Sequence, residues 1–575
     1  MKRENDFRPR VGRSRDKGAG SVPKARGFVG EVLSASRRSG LGTLDLGSRG
    51  RAGRFGRGGG RAVSGRLASR RVIIKTRIVQ HKGSRYRAAP MKMHLSYLRR
   101  QGATRDGGRA EMFDRDGVAD HDAFAKRIED DRHHFRFMVS PEDAAKLADL
   151  QATTRELMAR AERELGTRLD WVAVDHWNTD NPHVHVLVRG VADDGRDLVI
   201  NPEFLKHGFR EMAQALVSLE LGPRSEAEIA ASLDCEMTAD RWTHLDRRLR
   251  DLANDTGGVD LRPDGTRRGP GEARQIGRAQ HLERLGLAQS QGPGQWRLVD
   301  DLEPRLRALA ERGDIIKTLH ATLRGQDRDL NAVVIQGRDL EAPVFGKLAD
   351  RGLHDEVTGQ AYVVVDAVDG RSHHLRFNDL AQTGDTPIGG LVEVRSRSLE
   401  GGGSWLELVH RSDLSLATQV TASGATWLDR QMVAREPQVL AQSGFGLEAR
   451  EALEQRRAHL ETLGLVRRQA GGLAPVRNLL ATLRDRELSR VAANIQAETG
   501  ATLVETAKGD LVAGVYSRRI DLTSGRFAMI EDGLGFQLVP WTRSLDAKLG
   551  HEMRGTMTPT GGMDWSLGKK RGLGL

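Results

Sequence analysis

The chain is 575 residues long, with 38% hydrophobic and 5% aromatic residues, one cysteine and a formal net charge of +12. That length implies two to four domains, and the single Cys235 excludes an internal disulfide framework and a paired-cysteine metal site. No apolar run approaches the ~20 residues of a membrane span and the N-terminus lacks a secretory apolar core, so a cytoplasmic protein with no membrane insertion is expected.

Charge is unevenly placed. Residues 1–75 hold 20 of the 90 Lys and Arg but only five of the 78 Asp and Glu. Residues 1–70, Gly-, Ser- and Arg-rich, are expected to form a basic disordered arm, too poor in apolar surface to fold alone. Its natural partner is a polyanion, because each Lys or Arg that neutralises a phosphate releases a counterion.

Regular structure begins with "RVIIKTRIV" (71–79), a strand. "APMKMHLSYLRRQG" leaves helix and strand open, with a stop at Leu98–Gly102. "HHFRFMVSPED" alternates Phe135, Phe137 and Val139 on one strand face, and Ser140-Pro141-Glu142-Asp143 then reads as a helix start. That helix ends at Gly166. "LDWVAVDHW" and "HVHVLVRG" are strands, and a helix capped by Asn201 stops at Gly222. The pattern predicts one α/β (α+β) domain, residues 71–235, with a central antiparallel sheet.

Farther along, "RAQHLERLGLA" (278–288) and "RRAHLETLGLV" (456–466) agree at seven of eleven positions. Each is followed by a turn and a further segment, which implies an internal duplication of a small winged-helix-like module. β-rich stretches with Gly and Asp-Gly turns follow each copy. The expected division is a helical module at 236–328, a β-rich unit at 329–425, a second helical module at 426–500, and a β-rich unit with a basic tail at 501–575.

The densest chemistry is "WVAVDHWNTDNPHVHVLVRG" (171–190). In "HVHV" a strand sends His183 and His185 to one face and Val184, Val186 and Val188 to the other. His176 ends the preceding strand, and a short connection brings it beside them. Three converging imidazoles with positions left open form the pattern of a catalytic metal site. Imidazole suits Zn, Mn, Ni or Co better than Mg, which prefers oxygen. Asp175, Asp180 or Asn181 could orient an imidazole by accepting its second N–H. The adjacent pairs His133-His134 and His373-His374 point to opposite strand faces and do not chelate together.

"HWNTDNPHVHVLVRG" resembles the third motif of conjugative relaxases, the mobilisation nucleases of the His–hydrophobic–His endonuclease class, in their T-DNA nickase-like branch. "HLSYLRRQG" is similar to the family's first motif and "FRFMVSPED" to its second, while the C-terminal portion resembles an uncharacterised domain fused to such enzymes. One departure is Asn178, where many relatives carry an acidic residue. The resemblance implies a site- and strand-specific DNA nickase in which Tyr97 attacks a phosphodiester to form a 5′-phosphotyrosine, with Tyr86 as the alternative nucleophile. It makes His176, His183 and His185 the ligands of a divalent metal, Mg or Mn in cells, with Zn, Ni or Co as alternatives. Ser140 would contact DNA near the nick, and Arg99 and Arg100 would hold flanking phosphates. Implied partners are single-stranded DNA at a transfer origin, accessory relaxosome proteins and a type IV coupling protein, with export alongside the DNA. Two other readings stand beside it. A rolling-circle replication initiator uses the same chemistry, but no GxxxxGK[ST] helicase loop is present. A non-catalytic DNA-binding regulator would use the paired modules and the basic arm.

Overall fold

The computed structural model describes residues 69–81, 88–100, 103–177, 181–262, 270–323, 332–398, 402–469, 472–546 and 548–566. The arm up to residue 68 and the basic tail from 567 lie outside them, as do Tyr86, Asn178 and Asp180. The chain is α+β and divides into two compact units, one up to Asp314 and one from Ile315. Among the described residues no helix is long and apolar enough to cross a membrane.

In the first unit, β1 (Val72–Gln80) leads to α1 (Ala88–Leu98) and α2 (His121–Arg127). Then come β2 (His133–Pro141), α3 (Leu150–Leu165), β3 (Trp171–His176) and β4 (His183–Arg189). The four strands form one antiparallel sheet in the order β1-β2-β4-β3. Strand alternation divides its side chains between two helical layers. Phe135, Phe137, Val139, Val184, Val186 and Val188 face α3 and α4 (Phe209–Leu221). Val172, Val174 and Leu187 face the opposite way, onto Met91, Leu95 and Leu98 of α1 and Phe124 of α2. Burying each such side chain contributes about 1.5–3 kcal/mol. Helix α1 thus settles the ambiguity at 88–98: its apolar stripe is Met91, Leu95 and Leu98, spaced for a helix.

One expectation is overturned. Ser140 and Pro141 do not start a helix; they close β2, paired with Ile73 and Val72 of β1. The following α-helix is capped at Asp149, whose carboxylate accepts from Ala152 N at 2.9 Å. Pairing with β1 outweighs the local Ser-Pro-Glu-Asp signal. Gly166, at φ 68°, ends α3 as expected.

The first unit continues through α5 (Glu226–Met237), α6 (His244–Leu252), β5 (Gly258–Asp260), α7 (Pro270–Arg284), β6 (Ala288–Gly292) and β7 (Gln295–Leu298). A boundary drawn at residue 235 therefore falls inside α5. Helix α8 (Leu302–Thr322) follows, its residues from Ile315 belonging to the second unit.

The second unit opens with β8 (Val333–Ile335), β9 (Val344–Asp355), β10 (Gln360–Ala367), β11 (Ser372–Phe377), β12 (Leu391–Ser398) and β13 (Ser404–Ser412). Next are α9 (Leu416–Val420), α10 (Trp427–Val433), α11 (Gly444–Thr462), β14 (Val466–Gln469), β15 (Gly472–Pro475) and α12 (Leu479–Thr499). It closes with β16 (Thr502–Leu503), β17 (Leu511–Leu522), β18 (Gly525–Glu531), β19 (Gly535–Pro540), β20 (Glu552–Met557) and β21 (Met563–Trp565).

The duplication runs deeper than eleven residues. In each copy a buried arginine of the central helix, Arg278 of α7 or Arg456 of α11, grips a buried aspartate, Asp246 or Asp429. Each aspartate also completes a helix-capping box, with Thr243 or with Thr426. The remaining guanidinium protons reach three carbonyls: Met237, Ala239 and Arg241 in one copy, Val420, Ala422 and Gly424 in the other. A two-stranded hairpin and a 21-residue helix follow in both copies. The six-stranded sheets that come next share one order, β13-β12-β9-β10-β11-β8 and β21-β20-β17-β18-β19-β16. Each has a parallel edge strand, β8 on β11 and β16 on β19.

Candidate metal centre and its surroundings

The register of β3 and β4 sets His176 directly opposite His183. Alternation places His185 on the same face. The three rings meet edge to face, with centroids 5.4 Å apart for 176–183, 4.9 Å for 176–185 and 4.8 Å for 183–185. One nitrogen from each lies within 4.8 Å of the others. All three side chains are buried, in a sheet that also supplies a packed valine face behind them.

Hydrogen bonds fix the tautomers. His183 donates Nδ1–H to the Asn181 backbone carbonyl at 2.9 Å. Its Nε2 stands 3.0 Å from Nε2 of His185. His176 donates Nε2–H to the Leu98 carbonyl at 2.7 Å, which makes Nδ1 its lone-pair nitrogen. Two nitrogens each about 2.1 Å from one ion, at right angles to each other, stand about 3.0 Å apart. The pair 183–185 matches that separation, and the donor set suits a transition metal.

The other expected site residues are placed as follows. Tyr97 lies on α1, one residue before the Leu98 carbonyl that takes the His176 proton. Its ring is half-buried, with the Arg100 guanidinium 4.5 Å from the ring centroid. Arg99 turns to α2 instead, donating to His121 Nε2 at 2.6 Å. Ser140 is buried on the triad's face and donates to the Pro182 carbonyl at 3.4 Å, so it braces the segment entering β4. Asn181 contributes its main chain to His183. Asp175 requires a correction. It lies on the opposite face of β3, where its carboxylate accepts from Gln151 Nε2 at 2.8 Å and Trp177 Nε1 at 2.6 Å, and it orients no imidazole. A side chain one residue from His176 on a strand must point away from it.

A second set of groups was not singled out by sequence. On the triad's face of β2, Arg136 donates Nε–H to His134 Nε2 at 2.9 Å. His134 therefore donates Nδ1–H to His81 Nε2 at 2.8 Å, and His81 donates Nδ1–H to the Asp131 carbonyl at 2.7 Å. Burial, with Arg136 and His81 beside it, holds His134 well below the usual histidine range, so its ring stays neutral. The only linear signal was the His133-His134 pair. The relay joins residues 50 and more apart, beyond the reach of spacing arguments.

No curated protein and no solved structure matches the chain. A family model, described as a protein of unknown function, DUF3363, matches residues 275–402 and 403–574. Those segments together span more than half of the sequence and take in the second helical module and both six-stranded sheets, and the chain belongs to the DUF3363 family.

Proposed function

We propose that the first unit is a metal-dependent DNA strand transferase, a relaxase that nicks one strand at a transfer origin and stays attached to it. The observation that carries this reading is the convergence of His176, His183 and His185 beside the C-terminal end of α1, which bears Tyr97. A divalent cation bound by the three imidazoles supplies charge neutralisation and polarisation at a phosphodiester. The Tyr97 phenol attacks phosphorus: the Tyr O–P bond forms, the P–O3′ bond breaks, and the phenolic proton ends on the 3′ oxygen. The ester bond is conserved, so the reverse reaction rejoins the strand. Main-chain carbonyls at Leu98 and Asn181 hold His176 and His183 in the ligand tautomer, which limits reorganisation on binding.

The repeated order of helices and hairpin supports a winged-helix-like reading of the two modules, and with it a role in origin recognition. The exposed face of α11 carries Glu448, Glu451, Glu454 and Glu461. Arg450 and Arg457, the latter paired with Glu454, offset only part of that charge, and the acidic excess argues against α11 lying in a DNA groove.

The test is nicking of supercoiled DNA carrying the cognate origin, with Mg or Mn added, followed by mapping of the DNA–peptide adduct. Tyr97→Phe is expected to abolish the adduct and Tyr86→Phe to retain it. An adduct that persists in Tyr97→Phe, or no cleavage with any divalent ion, overturns the assignment.

A further inference from the structure

The triad's face of the sheet continues past the three imidazoles. Met138 is directly opposite His185, and Lys75 directly opposite Met138. One step along, Arg136 stands opposite Leu187, and Arg77 opposite Arg136. Ile73 faces Ser140 in the same way. By alternation all of these side chains share the face of His183 and His185. Helices α1 and α2 cover its β3 and β4 side, over Val172, Val174 and Leu187, and α1 also brings His94 near His134 of β2. Toward edge strand β1 the face is open, with Ile73 59% exposed and Lys75 and Arg77 exposed.

Three cations therefore line an open strip that begins at the metal centre. Two of them are directly opposite one another in the ladder, an arrangement that is destabilising unless an anion lies between them. Among the described residues, Lys75, Arg77 and Arg136 make no ion pair with a carboxylate. Arg136 is held by its Nε through the His134–His81 relay, and among the described residues its two terminal nitrogens take no hydrogen bond. Burial, with Arg77 facing it, pushes its guanidinium down to about 10, still charged at neutral pH. A half-buried cation without a counter-charge is costly to maintain. A guanidinium anchored by one edge, with the other edge open, is arranged for bidentate contact with a phosphate.

We infer that Arg136 and Arg77, flanked by Lys75, form a phosphodiester-binding site that positions the nucleic-acid strand across the sheet next to the metal centre. The inference rests on the nucleic-acid reading of that centre and adds the residues that hold the strand. From strand spacing and rise, Arg136 lies about 8 Å from His185 along the sheet, so the phosphate it grips is not the scissile one but a near neighbour. His134 and His81 are positioning residues: they act through Arg136. Neither Arg99, which is engaged with His121, nor Arg100, which lies over Tyr97, occupies this strip.

The test is binding of a fluorescent single-stranded oligonucleotide to the full chain in excess chelator, so that neither metal nor cleavage contributes. Arg77→Gln, an exposed position, and Arg136→Gln are each expected to weaken binding about tenfold. The double variant is expected to make the slope of log affinity against log salt shallower by about 0.7, the value for one phosphate on a single strand. Arg136→Lys should recover part of the loss. Thermal unfolding separates this from a structural role. Removing an uncompensated charge should leave the melting temperature of Arg136→Gln unchanged or raised, whereas a purely structural arginine would lower it. Unchanged affinity and slope in Arg77→Gln, with the unaltered protein binding well, would overturn this site and leave the metal-centre reading standing. No binding by the unaltered protein would overturn both.

Discussion

His183 is held by a main-chain carbonyl, not by a side chain, and this makes a sharp difference between two neighbouring substitutions. His183→Ala removes a ligand nitrogen and should lower divalent-ion affinity by more than about a hundredfold. Asn181→Ala leaves the carbonyl that takes the Nδ1 proton and should change affinity by less than about threefold. Titration calorimetry with Mn or Zn measures both; equal losses would mean that the Asn181 side chain, not its backbone, orients the ring. The clustered histidines were legible because a strand's two-residue period converts H-V-H directly into a shared face. The supports were not. Leu98 and Asn181 act through carbonyl oxygens, which every residue type possesses, whereas the Asp175 carboxylate, conspicuous beside His176 in the sequence, serves Gln151 and Trp177 instead.

Each helical module is pinned at its centre by a fully buried arginine–aspartate pair. Removing one member of such a pair strands the other charge, at a cost of about 3–5 kcal/mol. Arg456→Ala should therefore lower the unfolding free energy of the second unit, measured by urea titration, by that amount, while Arg456→Met with Asp429→Leu should recover much of it. A single-residue loss under about 1 kcal/mol would show that solvent reaches the stranded aspartate. Gly424 belongs to the same pin. Its carbonyl accepts from Arg456, and a Cβ there would stand 2.0 Å from the Glu487 carboxylate, which in turn accepts from the Thr523 and Ser524 amides. The sequence exposed the arginines, through the eleven-residue match, but not their partners. Thr243–Asp246 and Thr426–Asp429 precede them by 32 and 27 residues at the aspartate, and unequal loops hide a shared contact. Ser140-Pro141 shows the converse failure, a strong local signal cancelled by a strand that pairs with it from 69 positions upstream, as Val72 sits opposite Pro141.

At the scale of the whole chain, the α+β class and the alternation of helical and β-rich segments were readable from periodicity and turn residues. The common order of the two six-stranded sheets was not, because strand neighbours are long-range contacts that leave no fixed spacing. Within the second unit, an ion cluster ties segments of both sheets together: Asp385 accepts from Arg519 and Arg526, and Asp413 from Arg526. Burial alone would raise the Asp385 carboxyl, but hydrogen bonds from Arg526 and Arg519 outweigh it and hold the group at about 2. A depressed carboxyl stabilises the fold above the unfolded value near 4 and loses that contribution as pH falls toward 2. Acid unfolding followed by tryptophan fluorescence should thus be flatter between about pH 4 and 2 in Asp385→Asn, and the difference should shrink in high salt, since half of the Asp385 side chain meets solvent.

The two modules also differ in an instructive way. Two buried positions agree, Arg278 with Arg456 and Leu282 with Leu460, as do the exposed left-handed turn glycines Gly286 and Gly464, each at φ 69°. Exposed positions differ, with Ala273 and Arg284 standing where the other copy has Glu451 and Thr462. A shared skeleton under divergent skins leaves each copy its own outer surface, so a ligand found for one of them is no evidence of binding by its twin.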